Sequence, residues 1–143
     1  MTSYAALPPL ALRVLAGLWV APLTLVGLLL AAVLYAAAGG SGRWFVRWPA
    51  IALANDAARR LLGASGIRFS ALCIGQIIVA QDPRSLARAW VHECVHVRQA
   101  MRWGPLFPLL YLGSSALCWL RGQQPYWDNR FEREARAAER QSR

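Results

Sequence analysis

Hydrophobic positions in this chain fall into two uncharged runs, with shorter patterned stretches between and after them. The first run, residues 14–38, "VLAGLWVAPLTLVGLLLAAVLYAAA", holds 25 residues without a charged side chain. A helix needs about 20 apolar residues to cross the hydrocarbon core of a bilayer. The run therefore predicts a transmembrane helix with length to spare for tilt. Pro22 is a candidate kink, and Trp19 and Tyr35 are candidates for the lipid–water interface. The small residues of "YAAAGGSG" would also suit a cleaved signal peptide, but the apolar core of such a peptide runs to only about 7–15 residues. "GGSG" at 39–42 predicts the end of the helix and a short flexible joint.

In "WPAIALANDAARRLLGASG", Pro49 suits a first helical turn, and Gly63 and Gly66 are stop signals. Ile51, Leu53, Ala54, Ala57, Ala58, Leu61 and Leu62 give a mostly helical apolar face, which predicts an amphipathic helix. "IRFSALCIGQIIVAQ" is rich in β-branched and aromatic residues with a glycine at its middle. It predicts a hairpin turning around Ile74–Gly75–Gln76, with a strand over 76–80 available to pair with an extended peptide. "DP" at 82–83 supplies an N-cap and a proline at the first helical position. The helix it opens should end near Arg102 or Trp103, before Gly104 and Pro105.

The second uncharged run, "GPLFPLLYLGSSALCWL" at 104–120, is interrupted by Pro105, Pro108 and "GSS". As a helix it would reach about 26 Å, short of a hydrocarbon core of about 30 Å. The remainder is polar and predicts a charged helix from about Asn129, with Glu132 and Arg136 spaced as an i,i+4 pair.

Composition sharpens this outline without redrawing it. The 143 residues are 57% hydrophobic and carry a net charge of +9, with a mean hydropathy of +0.31. All basic residues are arginines. Beside so apolar a run, the basic balance points to an anionic lipid surface and away from nucleic acid. Only Arg13 lies near the start of the first run, whereas Arg43, Arg47, Arg59 and Arg60 follow it. The positive-inside rule then places the N-terminus outside and the body of the protein in the cytoplasm. Cys73, Cys94 and Cys118 have no metal-type spacing and read as reduced, buried or lipid-facing thiols.

The candidate chemistry lies in "WVHECVHVRQ", residues 90–99. His92 and His96 are the only histidines in the chain, four apart on one face of the predicted helix, with Glu93 beside the first. This is the HExxH arrangement: two imidazoles able to reach one tetrahedral Zn²⁺ and a glutamate placed as general base. A di-iron bundle would need a second Glu-x-x-His and is excluded for lack of histidine. The extended metzincin motif fails as well, because Gln99 and Arg102 stand where Gly and His belong. A third ligand must then be a downstream carboxylate: Asp128, Glu132, Glu134 or Glu139. Gln99, one turn past His96, is placed to orient a ligand or substrate, or to serve as an ordinary core or surface glutamine.

"HECVHVRQAMRWGPLFPLLYLGSS" followed by "PYWDNRFEREA" resembles a family of small bacterial membrane-associated HExxHxxQ proteins regarded as zinc metallopeptidases. More distantly the chain is similar to gluzincins, including membrane-bound CaaX-type peptidases, whose third ligand is the Glu of an E-x-x-A-D segment. "EREA" at 132–135 matches the first four positions, so the resemblance implies Glu132 as third ligand, with Glu134 as runner-up. Arg136 replaces the final Asp, and Arg130 stands where relatives prefer proline. If His96 and Glu132 share a metal, the run at 104–120 must dip into the membrane and return, or lie buried against the first span.

The expected fold is α+β and mostly α. Residues 1–42 form a membrane anchor and joint, and residues 43–143 a minimal zincin-like unit containing the membrane-associated segment 104–120. The expected function is a zinc metallopeptidase in the bacterial inner membrane, acting on a peptide or protein substrate from the cytoplasmic side with Glu93 as general base. The alternatives are a zinc-binding assembly or regulatory protein without proteolytic activity, and a basic membrane-surface adaptor.

Overall fold

The computed structural model describes residues 9–64 and 70–142. Helix α1 (Leu10–Ala37) is followed by strands β1 (Arg43–Arg47) and β2 (Ala50–Ala54), helix α2 (Asp56–Ala64), and strands β3 (Ala71–Ile74) and β4 (Ile77–Ala80). Helix α3 (Pro83–Trp103), a 3-10 turn at Gly104–Leu106, helix α4 (Phe107–Leu120) and helix α5 (Arg130–Gln141) complete the chain. The protein is mostly helical with one small sheet, as the sequence pattern implies.

Strand order in the sheet is β1-β2-β4-β3. Two antiparallel hairpins are joined through a central parallel pair, in which Leu53 stands opposite Val79. Ala50, Ala52 and Ala54 of β2 and Ile78 and Ala80 of β4 face α3, where they pack with Leu86 and Val97. Leu53, Ile77 and Val79 face the other way, onto Ala31 and Leu34 of α1 and Ala57 and Ala58 of α2. The sheet is thus covered on both faces, and its inner strands need apolar side chains at every position.

That double burial accounts for the main departure from the sequence reading. "AIALA" at 50–54 lacks the alternation of a half-exposed strand, so it reads as part of a helix. In the structure it is a strand, and Pro49 lies in the β1–β2 turn, joined to Trp48 by a cis peptide bond. The helix begins after Asn55, whose Oδ1 accepts a hydrogen bond from the N–H of Ala58 at 2.8 Å. Strand β1, which no element was expected to occupy, pairs along its length with β2. Gly63 lies inside α2, and Gly66 falls outside the described residues.

The hairpin expected around Ile74–Gly75–Gln76 is present, with Gly75 at φ +63°. A Cβ there would lie 2.5 Å from the backbone nitrogen of Thr24, so the turn sits directly on the middle of α1. Strand β4 is held on both sides, by β2 and β3, and has no edge for a peptide. The terminal strand on the α3 side of the site is β3, so the expected pairing strand at 76–80 is corrected to β3.

Helix α1 is long and apolar enough to cross a membrane. Val20, Gly27, Ala31 and Leu34 are buried against the rest of the chain, while Leu15, Leu18, Leu25 and Leu29 are exposed. Helix α4 meets α1 at its preceding turn, where a side chain on Gly104 (φ +54°) would collide with the Trp19 indole. The run at 104–120 is thus buried against the first span at its start, at Gly104, whereas in α4 only Cys118 is buried.

Candidate metal centre

Helix α3 starts as its sequence signals require. Asp82 accepts from the N–H groups of Arg84 and Ser85 at 2.8 and 2.9 Å, and Pro83 occupies the first turn. Its later turns carry His92, Glu93, His96 and Gln99 on the face turned toward α4 and α5. Helix α5 arrives there because α4 turns the chain back. Asn129, wholly buried, donates to the carbonyl of Tyr111 at 3.1 Å and to Ser115 Oγ at 2.7 Å. Its own Oδ1 caps α5 by accepting from Phe131 N at 2.9 Å. Glu132 thereby enters the first turn of α5, facing the histidines.

The three side chains converge closely. His92 Nε2 and His96 Nε2 are 3.1 Å apart. Glu132 places Oε2 at 3.3 Å from His92 Nε2 and Oε1 at 3.2 Å from His96 Nε2. Tetrahedral ligands at about 2.0–2.1 Å from a zinc ion stand about 3.3–3.4 Å from one another, so these separations suit one small cation. Glu132 is 3% exposed, and its Oε2 makes no hydrogen bond, although the Arg136 guanidinium stands 3.5 Å away. A buried carboxylate oxygen is costly unless its charge is met; Arg136 does so in part, and a metal ion between the histidines would complete it. The set His92, His96 and Glu132 can hold a metal ion.

Around these three, a further layer fixes their orientation. The amide nitrogen of Gln99 donates to the Phe131 carbonyl at 3.1 Å and to Glu134 Oε2 at 2.9 Å. Its Oε1 is then the atom facing His96 Nδ1, at 2.8 Å. Nδ1 must carry the proton and donate it, which leaves the Nε2 lone pair for the metal. Glu134 is therefore a partner of Gln99, exposed and outside the ligand cluster. Tyr111 donates to Glu132 Oε1 at 2.8 Å. Arg136 lies 3.5 Å from Glu132 Oε2, forming the expected i,i+4 pair, and Glu139 lies 3.8 Å from His92 Nδ1.

Charge in the site is divided unevenly. Burial pushes Glu132 toward the neutral acid, but the close imidazoles of His92 and His96 and the hydrogen bond from Tyr111 outweigh it and hold the carboxyl well below its ordinary range. Burial opposes charge on His96 as well, yet its bond to Glu132 and the nearby Glu93 raise it above the usual imidazole value. Glu93 is raised, because its burial exceeds the pull of the two histidines. The carboxylate that would ligate a metal is thus anionic, while its neighbour is poised to hold a proton.

Glu93 also lines a cavity of about 460 Å³ that reaches the histidines and Glu132. Tyr126, on the turn before α5, lines it too, and burial pushes its phenol up to about 12. Tyr111, Tyr126 and the contact from Glu139 to His92 were not assigned roles from sequence. The available signal was thin: Tyr111 is the one phenol in an otherwise apolar run. No family model matches the chain, and no curated protein or solved structure matches it either.

Proposed function

We propose that this chain is a membrane-anchored zinc metallopeptidase. The observation that carries the reading is the meeting of His92, His96 and Glu132 at 3.1–3.3 Å beside a buried glutamate that faces a cavity. Two imidazoles and one carboxylate with a fourth position free is the donor set of a hydrolytic zinc centre. A metal ion held by His92, His96 and Glu132 would supply Lewis acidity at this corner. Glu93 accepts a proton from the attacking water and returns it to the leaving amine as the carbonyl carbon gains the hydroxyl and the C–N bond breaks. Its raised proton affinity suits both transfers. Tyr126 and Tyr111 are the phenols that line the same cavity as Glu93. Strand β3, helix α3 and helix α5 then make up a minimal zincin-like unit, with β3 as the edge on which an extended peptide lies.

Helix α1 serves as the span. Arg43, Arg47, Arg59 and Arg60 after it favour a cytoplasmic body at a bacterial inner membrane. The deciding experiment compares metal content and peptide hydrolysis of the detergent-purified protein with its Glu93→Gln, His92→Ala, His96→Ala and Glu132→Ala variants. One zinc per chain is expected in the wild type and in Glu93→Gln, with hydrolysis reduced by about 10²–10⁴-fold in the latter. The ligand variants should lose the metal. Zinc-loaded wild type that cuts no peptide would favour the assembly-protein alternative.

A further inference from the structure

Two cavities meet at the metal centre, and they differ in character. The first, about 460 Å³, lies between α1, β3 and α4, with Leu23, Val26, Phe107, Pro108 and Leu112 on its walls. The second, about 330 Å³, is lined by Ser70, Arg88, Trp127, Arg136 and Glu139. Ala71, His92, Glu93 and Tyr126 belong to both. His92 and Glu93 therefore stand on the partition between an apolar chamber and a more polar one bordered by charged side chains, while His96 and Glu132 line the first alone. Strand β3 passes along both, with Ser70 just before its start at the more polar chamber and Ile74 at the apolar one.

The apolar chamber also has a particular exit. Its walls on α1 and α4 continue outward into Val26 and Leu112, which are 55% and 63% exposed, beside exposed Leu25, Leu29 and Leu109. Leu23 is the fourteenth residue of the 28 in α1, about 20 Å along a helix about 42 Å long. A hydrocarbon core of about 30 Å covers that point wherever along the upright helix it is placed. With α1 as the span, the mouth would open on the lipid-facing flank and not on water.

We infer that the substrate is a membrane-embedded polypeptide cut where an apolar stretch gives way to a polar one. Its apolar side sits in the α1–α4 chamber and its polar side faces Arg88 and Arg136. This rests on the hydrolase reading above. A wholly polar peptide leaves the larger chamber without a partner. A wholly apolar one sets hydrocarbon against two guanidinium groups, with the desolvation cost that entails.

The test uses the full-length, zinc-loaded protein in liposomes and three peptides of equal length sharing one central dipeptide. Their flanks are apolar–polar, polar–polar and apolar–apolar. Cleavage of the first at the junction is expected with kcat/KM at least about tenfold above the others. Val26→Trp, which fills the apolar chamber, should lower that value about tenfold or more. Leu15→Trp, on the exposed face of α1 away from the chamber, should leave it unchanged. A parallel reading is the Kd of the fluorescent apolar–polar peptide for Glu93→Gln, with and without Val26→Trp. Equal cleavage of the polar–polar peptide, or indifference to Val26→Trp in both readings, overturns the inference while leaving the hydrolase standing. No cleavage of any peptide, with tight binding that depends on Val26, overturns the hydrolase and upholds the chamber assignment.

Discussion

Gln99 Oε1 lies 2.8 Å from His96 Nδ1, and the amide cannot be turned round, because its nitrogen already serves Phe131 and Glu134. One residue thereby sets the tautomer of a ligand on α3 and ties that ligand to the helix that brings Glu132. Gln99→Leu should lower zinc affinity about 10–100-fold, the usual effect of losing an outer partner of a histidine ligand. Gln99→Glu should do similar damage by facing Glu134 with a second carboxylate, and Glu134→Gln added to it should recover most of the loss. Competition titration with a zinc chelator reads all three; no recovery in the double variant would remove Glu134 from this role.

Tyr111 holds the carboxylate oxygen next to the one left for the metal. Tyr111→Phe deletes a hydrogen bond to a charged group, which costs about 1.5–3 kcal/mol where the acceptor is buried. Urea unfolding of the metal-free protein should show that loss, together with weaker zinc binding. An unchanged midpoint would mean that Tyr111 does not hold Glu132 in solution.

The pH dependence of the metal-free protein follows from the site. His96 is raised, so its contribution is complete below the ordinary 6.5 and fades as pH climbs through the raised value. Glu132 is lowered, so its contribution is complete above the ordinary 4.5 and fades only in stronger acid. Glu93, raised by burial, costs stability as pH climbs past 4.5. Melting temperature in chelator should therefore peak toward the acidic half of the window from 4.5 to 6.5. Zinc requires a neutral His96, so the increment it adds should grow as pH rises. A zinc increment that shrinks with pH would contradict this assignment.

Asn55 joins three elements. It caps α2 through Ala58 and donates to the carbonyls of Leu34 and Ser41, closing the end of α1 and the joint after it. Asn55→Ala should destabilise the fold by about 2–3 kcal/mol, summing a lost cap and lost buried bonds. Asn55→Asp keeps the cap and loses the donors, so denaturant midpoints should place it between wild type and Asn55→Ala.

How far the sequence carries can be seen residue by residue. His92, Glu93 and His96 were legible because their geometry is local: one helix, opened by Asp82 and Pro83, presents them four apart. Glu132 required the return of α4 and was reached by resemblance, and the cluster includes it. The strands β1 and β2 were missed because a sheet covered on both faces erases the alternation that marks a strand. Strand β4 was legible as a strand but not as an interior one, since order in a sheet is set by pairing between distant segments. Gln99 was legible as an orienting residue because its contact to His96 spans only three residues; Tyr111 and Glu134 take their roles from contacts across 21–35 residues of chain, which no local pattern encodes.

The packing of α1 against Leu53, Ile77 and Val79 bears on how the molecule is made. The helix is translated first, yet the face it shelters belongs to strands that leave the ribosome later. That sheet face is covered only once α1 is in place, so the setting of α1 bears directly on how the half with the candidate metal centre matures. A version trimmed at the Gly39–Gly42 joint would not be a soluble domain freed of its tether. It would expose an apolar sheet face to water and aggregate during synthesis.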